Sequence, residues 1–210
     1  MKVLVACEFS GIVRDAFRAR GHDAWSCDIL PTEREGPHIQ DDVLKHLDEG
    51  WDLMIAHPPC TYLTNAGVRH LHDNVTSRNG VRAKEYGIVR WQLMCDAADF
   101  FNKFVAAPIN LICIENPIPH CYARDRIGNY TQKIQPWQFG HGEIKATCLW
   151  LKGLPLLETT HAEGELFKQW CPVERTPRVH REPPGPDRWK KRSRTYQGIA
   201  DAMAEQWGIE

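Results

Sequence analysis

Short apolar runs that alternate with segments of helical periodicity constrain this chain more than any other feature. Val3 to Cys7 reads as a strand, residues 11–20 as a helix with Ile12, Val13, Ala16, Phe17 and Ala19 on one side, and Gly21 as its C-terminal stop. Residues 22–29 form a second strand, with Asp28 near its end, and residues 42–47 a short helical turn. Leu53 to Ala56 is a third strand and residues 109–114 a fourth. Between them, residues 82–105 make a long helix with Ile88, Trp91, Leu93, Met94, Ala97, Ala98 and Phe101 turned inward. This alternation is the pattern of an α/β fold with a doubly wound, mostly parallel sheet. Residues 147–151 add a late strand and residues 196–207 a closing helix, whereas residues 155–190 carry scattered prolines and no sustained period. The expected organisation is a main domain over 1–154 and 191–210, with a small irregular insert over 155–190.

Two of the strands end in reactive side chains. The run Trp51-Asp52-Leu53-Met54-Ile55-Ala56 stops at His57-Pro58-Pro59-Cys60. Proline cannot donate to a sheet ladder and restricts the residue before it, so Pro58 and Pro59 end the strand and begin a rigid loop that presents Cys60. The fourth strand ends in Glu115-Asn116-Pro117, which presents a carboxylate in the same way. Ligands of open α/β sheets bind at such strand ends, so a thiol and an acid are expected to face one pocket.

Composition narrows the class. The chain has 210 residues, 42% hydrophobic and 25% charged, as in an ordinary globular protein with a real core. No apolar run approaches the roughly 20 residues needed to cross a bilayer, and the N-terminus reads as a strand, so a cytoplasmic protein without a membrane partner is expected. The eight cysteines form no CxxC pair, which argues against a zinc ribbon or a thioredoxin-like motif. His161, Cys171 and His180 match no common finger spacing, and no metal is expected; Trp170-Cys171-Pro172 reads as a small hydrophobic plug. The net charge of −1 hides an uneven distribution: residues 174–194 hold eight Arg or Lys against three acids. That basic segment is either a phosphate-contacting loop or a solvated connector.

The first strand-to-helix junction is Cys7-Glu8-Phe9-Ser10-Gly11, where a nucleotide-like cofactor can dock at a helix start. Only Gly11 stands where a dinucleotide fingerprint needs three glycines, which argues against NAD or FAD. Asp28 is placed to accept hydrogen bonds from a ribose.

Together these residues resemble the cytosine-C5 DNA methyltransferase family, in particular its short phage-type members. Phe9-Ser10-Gly11 resembles the family's Phe-x-Gly cofactor loop, with Val13 in place of its next glycine. Asp28 corresponds to the acid that holds the ribose of S-adenosylmethionine, with Ile29 beside it, and Asp42-Val43 resembles the pair that contacts adenine. Pro59-Cys60, preceded by Pro58, is similar to the catalytic Pro-Cys, and Glu115-Asn116-Pro117 to the family's Glu-Asn-Val. Gln197-Gly198-Ile199-Ala200 lies where the last family motif closes the cofactor pocket. The resemblance implies a Rossmann-like fold and S-adenosylmethionine as cofactor. It also implies catalytic roles for Cys60, Glu115 and Asn116, and cofactor contacts from Phe9, Ser10, Gly11, Asp28, Ile29, Asp42, Val43 and Pro58. The implied substrate is cytosine in DNA, within a bacterial cell or a phage-infected host, and no obligate protein partner is evident.

The chemistry accounts for these residue types. Cytosine C5 becomes nucleophilic when a thiolate adds to C6, which Cys60 would supply. Glu115 would protonate N3 and is therefore expected to have a raised pKa, and a duplex base would have to be flipped out of its stack. The sequence also departs from the family. Thr61 replaces its usual Gln, His57 stands where glycine is common, and Lys145-Ala146-Thr147 occupies the place of Gln-x-Arg-x-Arg. Lys145 either reaches the base or a phosphate or is an ordinary surface lysine; Asn65, Arg69 and His70 either contact the target strand or form a polar loop. Pro59, Lys145, Arg69, Arg192 and Arg194 are the candidate substrate contacts, and residues 155–190 the candidate target-recognition region. Two alternatives stay open: the same chemistry on a free cytosine nucleotide, and an inactive nucleic-acid-binding relative. The (Asp/Asn)-Pro-Pro-aromatic loop of amino-group methyltransferases is a poorer match, because His57 replaces its polar anchor and Cys60 its aromatic residue.

Overall fold

The computed structural model describes residues 1–72, 87–160 and 175–208. Seven strands form one sheet: β1 (Lys2–Ala6), β2 (Asp23–Asp28), β3 (His38–Gln40), β4 (Leu53–Ala56), β5 (Leu111–Pro117), β6 (Gln132–Ile134) and β7 (Thr147–Lys152), in the order 3-2-1-4-5-7-6. The first five are parallel, and β7 runs antiparallel to both β5 and β6. The expected α/β class with a mostly parallel sheet is therefore observed.

Alternation along the strands sorts the core into two layers. Leu4, Met54, Ile112 and Trp150 face one layer, which contains α2 (Gly87–Val105) and α3 (Cys121–Ile127). Val5, Ile55, Cys113 and Leu149 face the other, which contains α1 (Ile12–Ala19) and a C-terminal helix (Gln197–Trp207). A short helix, α4 (Arg188–Ser193), precedes that C-terminal helix, α5. Both faces of the parallel strands are covered, which is why these strands are continuously apolar rather than alternating.

Most of the anticipated elements appear with ends moved by one or two residues, and the turn at 42–47 is a 3-10 helix over Val43–Lys45. Two features differ from expectation. Ile88 is 84% exposed and lies off the inner face of α2, which buries Arg90, Met94, Ala98, Phe101 and Phe104. The three-residue strands β3 and β6 and the helix α3 have no periodic signal of their own length; pairing to β2 and β7 defines the two strands. The first residues of the expected long helix, 82–86, and His161 and Trp170-Cys171-Pro172 lie outside the described residues.

Candidate functional site

Strand order reverses between β1 and β4, and the carboxyl ends of those strands open a crevice where α/β sheets bind ligands. A cleft of about 130 Å³ lies there, walled by residues 7–10, 57–60, Glu115, Pro117, Lys145 and residues 192–195.

Register brings the acid to this cleft. The parallel pairing of β4 with β5 sets Ile55 beside Cys113 and Ala56 beside Ile114. The next residues, His57 and Glu115, consequently stand abreast on one face of the sheet. Nδ1 of His57 donates to Oε2 of Glu115 at 2.9 Å, and Thr195 Oγ1 donates to the same oxygen at 3.4 Å. Cys60 follows two prolines later and lines the same cleft. Its loop is braced from behind: Arg90 on α2 donates to the carbonyl of Thr61 at 3.1 Å and lies over the Tyr62 ring, 4.7 Å from its centroid. His120 accepts from Ala123 N–H at 3.0 Å through Nδ1 and contacts the Tyr62 carbonyl at 3.2 Å through Nε2, so it ties the start of α3 to the same loop.

The electrostatics separate the cysteines. Burial pushes the Cys60 thiol up, but Lys145 and Arg192 pull the other way across the cleft. Cys7 also lines the cleft, with a left-handed backbone at φ 58. Burial raises its thiol far more, and the nearby Asp28 adds to the rise. Of the two, Cys60 is the one with cations placed to favour its thiolate. For Glu115, burial opposes the charged form, but the hydrogen bond and charge of His57, with Lys145 and Thr195, hold the carboxyl below its ordinary value. The raised carboxyl pKa expected from the sequence is corrected: its partner, His57, was read as a departure from a glycine or as a replacement for a polar anchor, not as a neighbour of Glu115. Burial also works against a charged His57, and the Glu115 contact outweighs it, so the imidazole is raised.

The other wall is built around Glu8. Its carboxylate, 5% exposed, accepts from the backbone N–H of Val13 at 2.8 Å, that of Arg14 at 3.2 Å and the Ser10 hydroxyl at 3.0 Å. It therefore fills the start of α1, the place where a dinucleotide fold receives phosphate. Gly11 makes the turn at φ +71, and a Cβ there would come within 2.5 Å of Arg14 Nη2. Arg14 is fully buried and donates to Ser26, Thr32 and the carbonyls of Arg34 and Glu35, which pins the loop after β2 to α1. Phe9 packs on Trp189 of α4 with ring centroids 5.6 Å apart, and Arg194 makes a two-pronged ion pair with Glu33 at 2.9 and 2.7 Å. The basic segment thereby closes back over the cleft.

Of the residues singled out in the sequence, Phe9, Ser10, Pro58, Pro59, Cys60, Glu115, Lys145, Arg192 and Arg194 meet at the cleft. Gly11, Asp28, Ile29, Asp42 and Val43 lie beside it at the ends of β1, β2 and β3. Asp28 Oδ1 accepts from Leu30 N–H at 2.9 Å, Asp42 Oδ1 from Leu44 N–H at 3.0 Å, and Ile29 is 73% exposed. Val43 is buried in the core, which leaves its backbone rather than its side chain for a ligand. Asn116 is not brought to the cleft: one position beyond Glu115, it points to the opposite face, is buried, and donates to the Pro117 carbonyl at 2.8 Å. Arg69 sits exposed on a 3-10 helix, Asn65–Leu71, with its Nε 3.3 Å from His70, and does not line the cleft. Ile199 and Ala200 pack in the core shared with α1. His57, Glu8, Arg14 and Thr195 are the site residues that the sequence alone did not mark.

Among the described residues no helix is long and apolar enough to cross a membrane, and no group of three or more His, Cys, Asp or Glu is placed to hold a metal. No protein-family model matches the chain, and no curated protein matches it. Among solved structures it is similar to a prophage-encoded protein of E. coli described as a candidate DNA modification methyltransferase, at 16% identity and a TM-score of 0.41. The likeness covers 78% of this chain and 51% of the other, so the chain spans about half of that protein's length. The site's own residues, not this likeness, carry the functional conclusion.

Proposed function

We propose that this protein transfers a methyl group from S-adenosylmethionine to C5 of cytosine in DNA. The observation that carries the reading is the convergence of Cys60 and Glu115, from adjacent strand ends, on one cleft at the switch point of the sheet.

The neighbouring strand ends fit a nucleoside cofactor without phosphates. Glu8 fills the helix start that a phosphate would need, while Asp28 keeps an oxygen for a ribose and the exposed Ile29 offers an apolar surface beside it. Phe9, Ser10, Gly11, Asp28, Ile29, Asp42, the backbone of Val43 and Pro58 would hold the group. When bound, S-adenosylmethionine supplies an electrophilic methyl group. The thiolate of Cys60 adds to C6 of the ring, and Glu115 gives a proton to N3 as electron density moves there, which makes C5 nucleophilic. Once C5 is methylated, loss of its proton and departure of Cys60 restore the aromatic ring.

Lys145 and Arg192 face the same cleft and have no carboxylate partner among the described residues, so they suit a base carbonyl or a phosphate of the target nucleotide. Arg194 is committed to Glu33 and acts through the closure of the segment. The cationic residues from Arg175 to Arg194 favour a polyanion over a free nucleotide, with residues 155–190 as the target-recognition region of a catalytic domain formed by 1–154 and 191–210.

The test is transfer of a tritiated methyl group to DNA of varied sequence and to free cytosine nucleotides, followed by base analysis. The expected product is 5-methylcytosine in DNA, together with a covalent adduct at Cys60 on DNA containing 5-fluorocytosine. Label on the exocyclic amine, or turnover without an adduct, would overturn the reading.

A further inference from the structure

His57 has no part in the chemistry derived so far, yet its ring makes one side-chain hydrogen bond among the described residues, and that bond is to Glu115 at 2.9 Å. We infer that His57 is a positioning residue for Glu115: it holds Oε2, leaves Oε1 to meet the substrate ring, and shares with Glu115 the one proton that N3 receives. The inference rests on the cytosine reading above and gives that site a further residue.

The geometry is fixed on every side. The His57 backbone N–H donates to the carbonyl of Ala6 at 2.9 Å, which extends the pairing of β1 with β4 by one residue. Pro58 follows and prevents the chain from relaxing. The side chain of His57 is 13% exposed and that of Glu115 11% exposed, so water screens their contact little. Nε2 of His57 is buried without a hydrogen-bond partner among the described residues, which leaves Glu115 as the anchor that orients the ring. Thr195 donates to the same Oε2, so both donors converge on one carboxylate oxygen and the other remains available.

The proton count closes. With Nδ1–H donating to Oε2, the pair carries one further proton, which resides on Nε2 of an imidazolium or on Oε1 of a carboxylic acid. The two forms are tautomers of the same net charge. Passing the Oε1 proton to N3 as Cys60 adds to C6 leaves a carboxylate that still receives Nδ1–H from a neutral imidazole. The proton returns to Oε1 when Cys60 departs. The contact that lowers the Glu115 carboxyl is the one that raises the His57 imidazole, so the proton that Glu115 holds less tightly is kept by its partner and the pair retains one to give. The charged groups that bear on the pair are Glu8 from the β1–α1 loop, which favours the protonated imidazole, and Lys145 from the segment before β7, which opposes it. Cys60 stands on the loop that follows His57 and itself feels Glu115.

The test uses His57→Asn, which keeps a donor near the Nδ1 position but carries no titrating proton, and His57→Ala, which removes both. Methyl transfer is measured from pH 5.5 to 9.5 with DNA at saturation. In the wild-type protein kcat falls on the alkaline side as the pair loses its proton. His57→Asn is expected to lower kcat about a hundredfold with KM nearly unchanged and to move the alkaline limb, which Glu115 alone then sets. His57→Ala should be slower than His57→Asn, since it loses orientation as well. A His57→Asn protein with the wild-type kcat and limb would overturn the inference. A second measurement does not depend on the substrate: nitrogen-15 NMR of His57 in the free protein, with its midpoint above that of an ordinary histidine and lowered in Glu115→Gln. An unchanged midpoint would overturn the pairing. Failure of the wild-type protein to make 5-methylcytosine would instead remove the cytosine reading and the delivery to N3, with the pairing judged by the NMR result.

Discussion

Glu8→Gln isolates the device that builds one wall of the cleft, because it changes charge and hydrogen-bond polarity while keeping shape. The native carboxylate accepts from Val13 N–H, Arg14 N–H and the Ser10 hydroxyl, all at 2.8 to 3.2 Å. Glutamine keeps one carbonyl oxygen and turns an NH2 group toward donors that it cannot satisfy. Hydrogen bonds to a charged group are worth roughly 1.5–3 kcal/mol against about 1 for neutral ones, and an anion at a helix start adds roughly 0.3–2 kcal/mol. The expected loss is therefore about 2–4 kcal/mol, or roughly 4–16 °C in Tm for a chain of this size. Urea unfolding and differential scanning calorimetry measure it. A loss below about 0.5 kcal/mol would refute the argument, since it would mean that the α1 amides are satisfied without the charge. Glu8→Ala supplies the complementary readout: inorganic phosphate should stabilise that variant and leave the wild-type protein unmoved, because the vacated helix start becomes an anion site.

Cys60→Ala should abolish methyl transfer and leave S-adenosylmethionine binding, measured by calorimetry, within a few-fold of wild type; Glu115→Gln should slow the chemical step about a hundredfold or more in single-turnover assays. Burial raises the Cys60 thiol, so its alkylation by iodoacetamide should have a midpoint above that of an ordinary thiol, and Lys145→Met should move it higher still, because that charge favours the thiolate. DNA binding should weaken steeply with salt, and Arg192→Ala should reduce the slope of log Kd against log salt by about 0.9 if that guanidinium meets a phosphate. Arg90→Met should cost about 1.5–3 kcal/mol in urea unfolding, since it removes the hydrogen bond from the buried guanidinium to the Thr61 carbonyl behind the Cys60 loop.

Much of the fold was legible because continuous apolar runs such as Leu53–Ala56 are what a sheet covered on both faces requires, and because prolines at 58, 59 and 117 punctuate their ends. The strands β3 and β6 were not, since three residues carry no period and exist through pairing. Ile88 illustrates the same limit: an apolar residue near the start of a long helix was assigned to the core, although the turn of α2 carries it to the surface.

By itself the sequence determined which residues can do chemistry and at which strand ends they stand: Cys60 after two prolines, Glu115 after an apolar run, and a turn at Gly11 too poor in glycine for a dinucleotide. Only the tertiary structure decided what those groups are. The register of β4 against β5 set His57 beside Glu115 and turned Asn116 to the far face, and the folding of Glu8 onto α1 closed the phosphate site. The physical reason is that protonation and orientation depend on neighbours within a few ångströms, and the neighbours that matter here are 58 positions away in one case and held on a separate strand end.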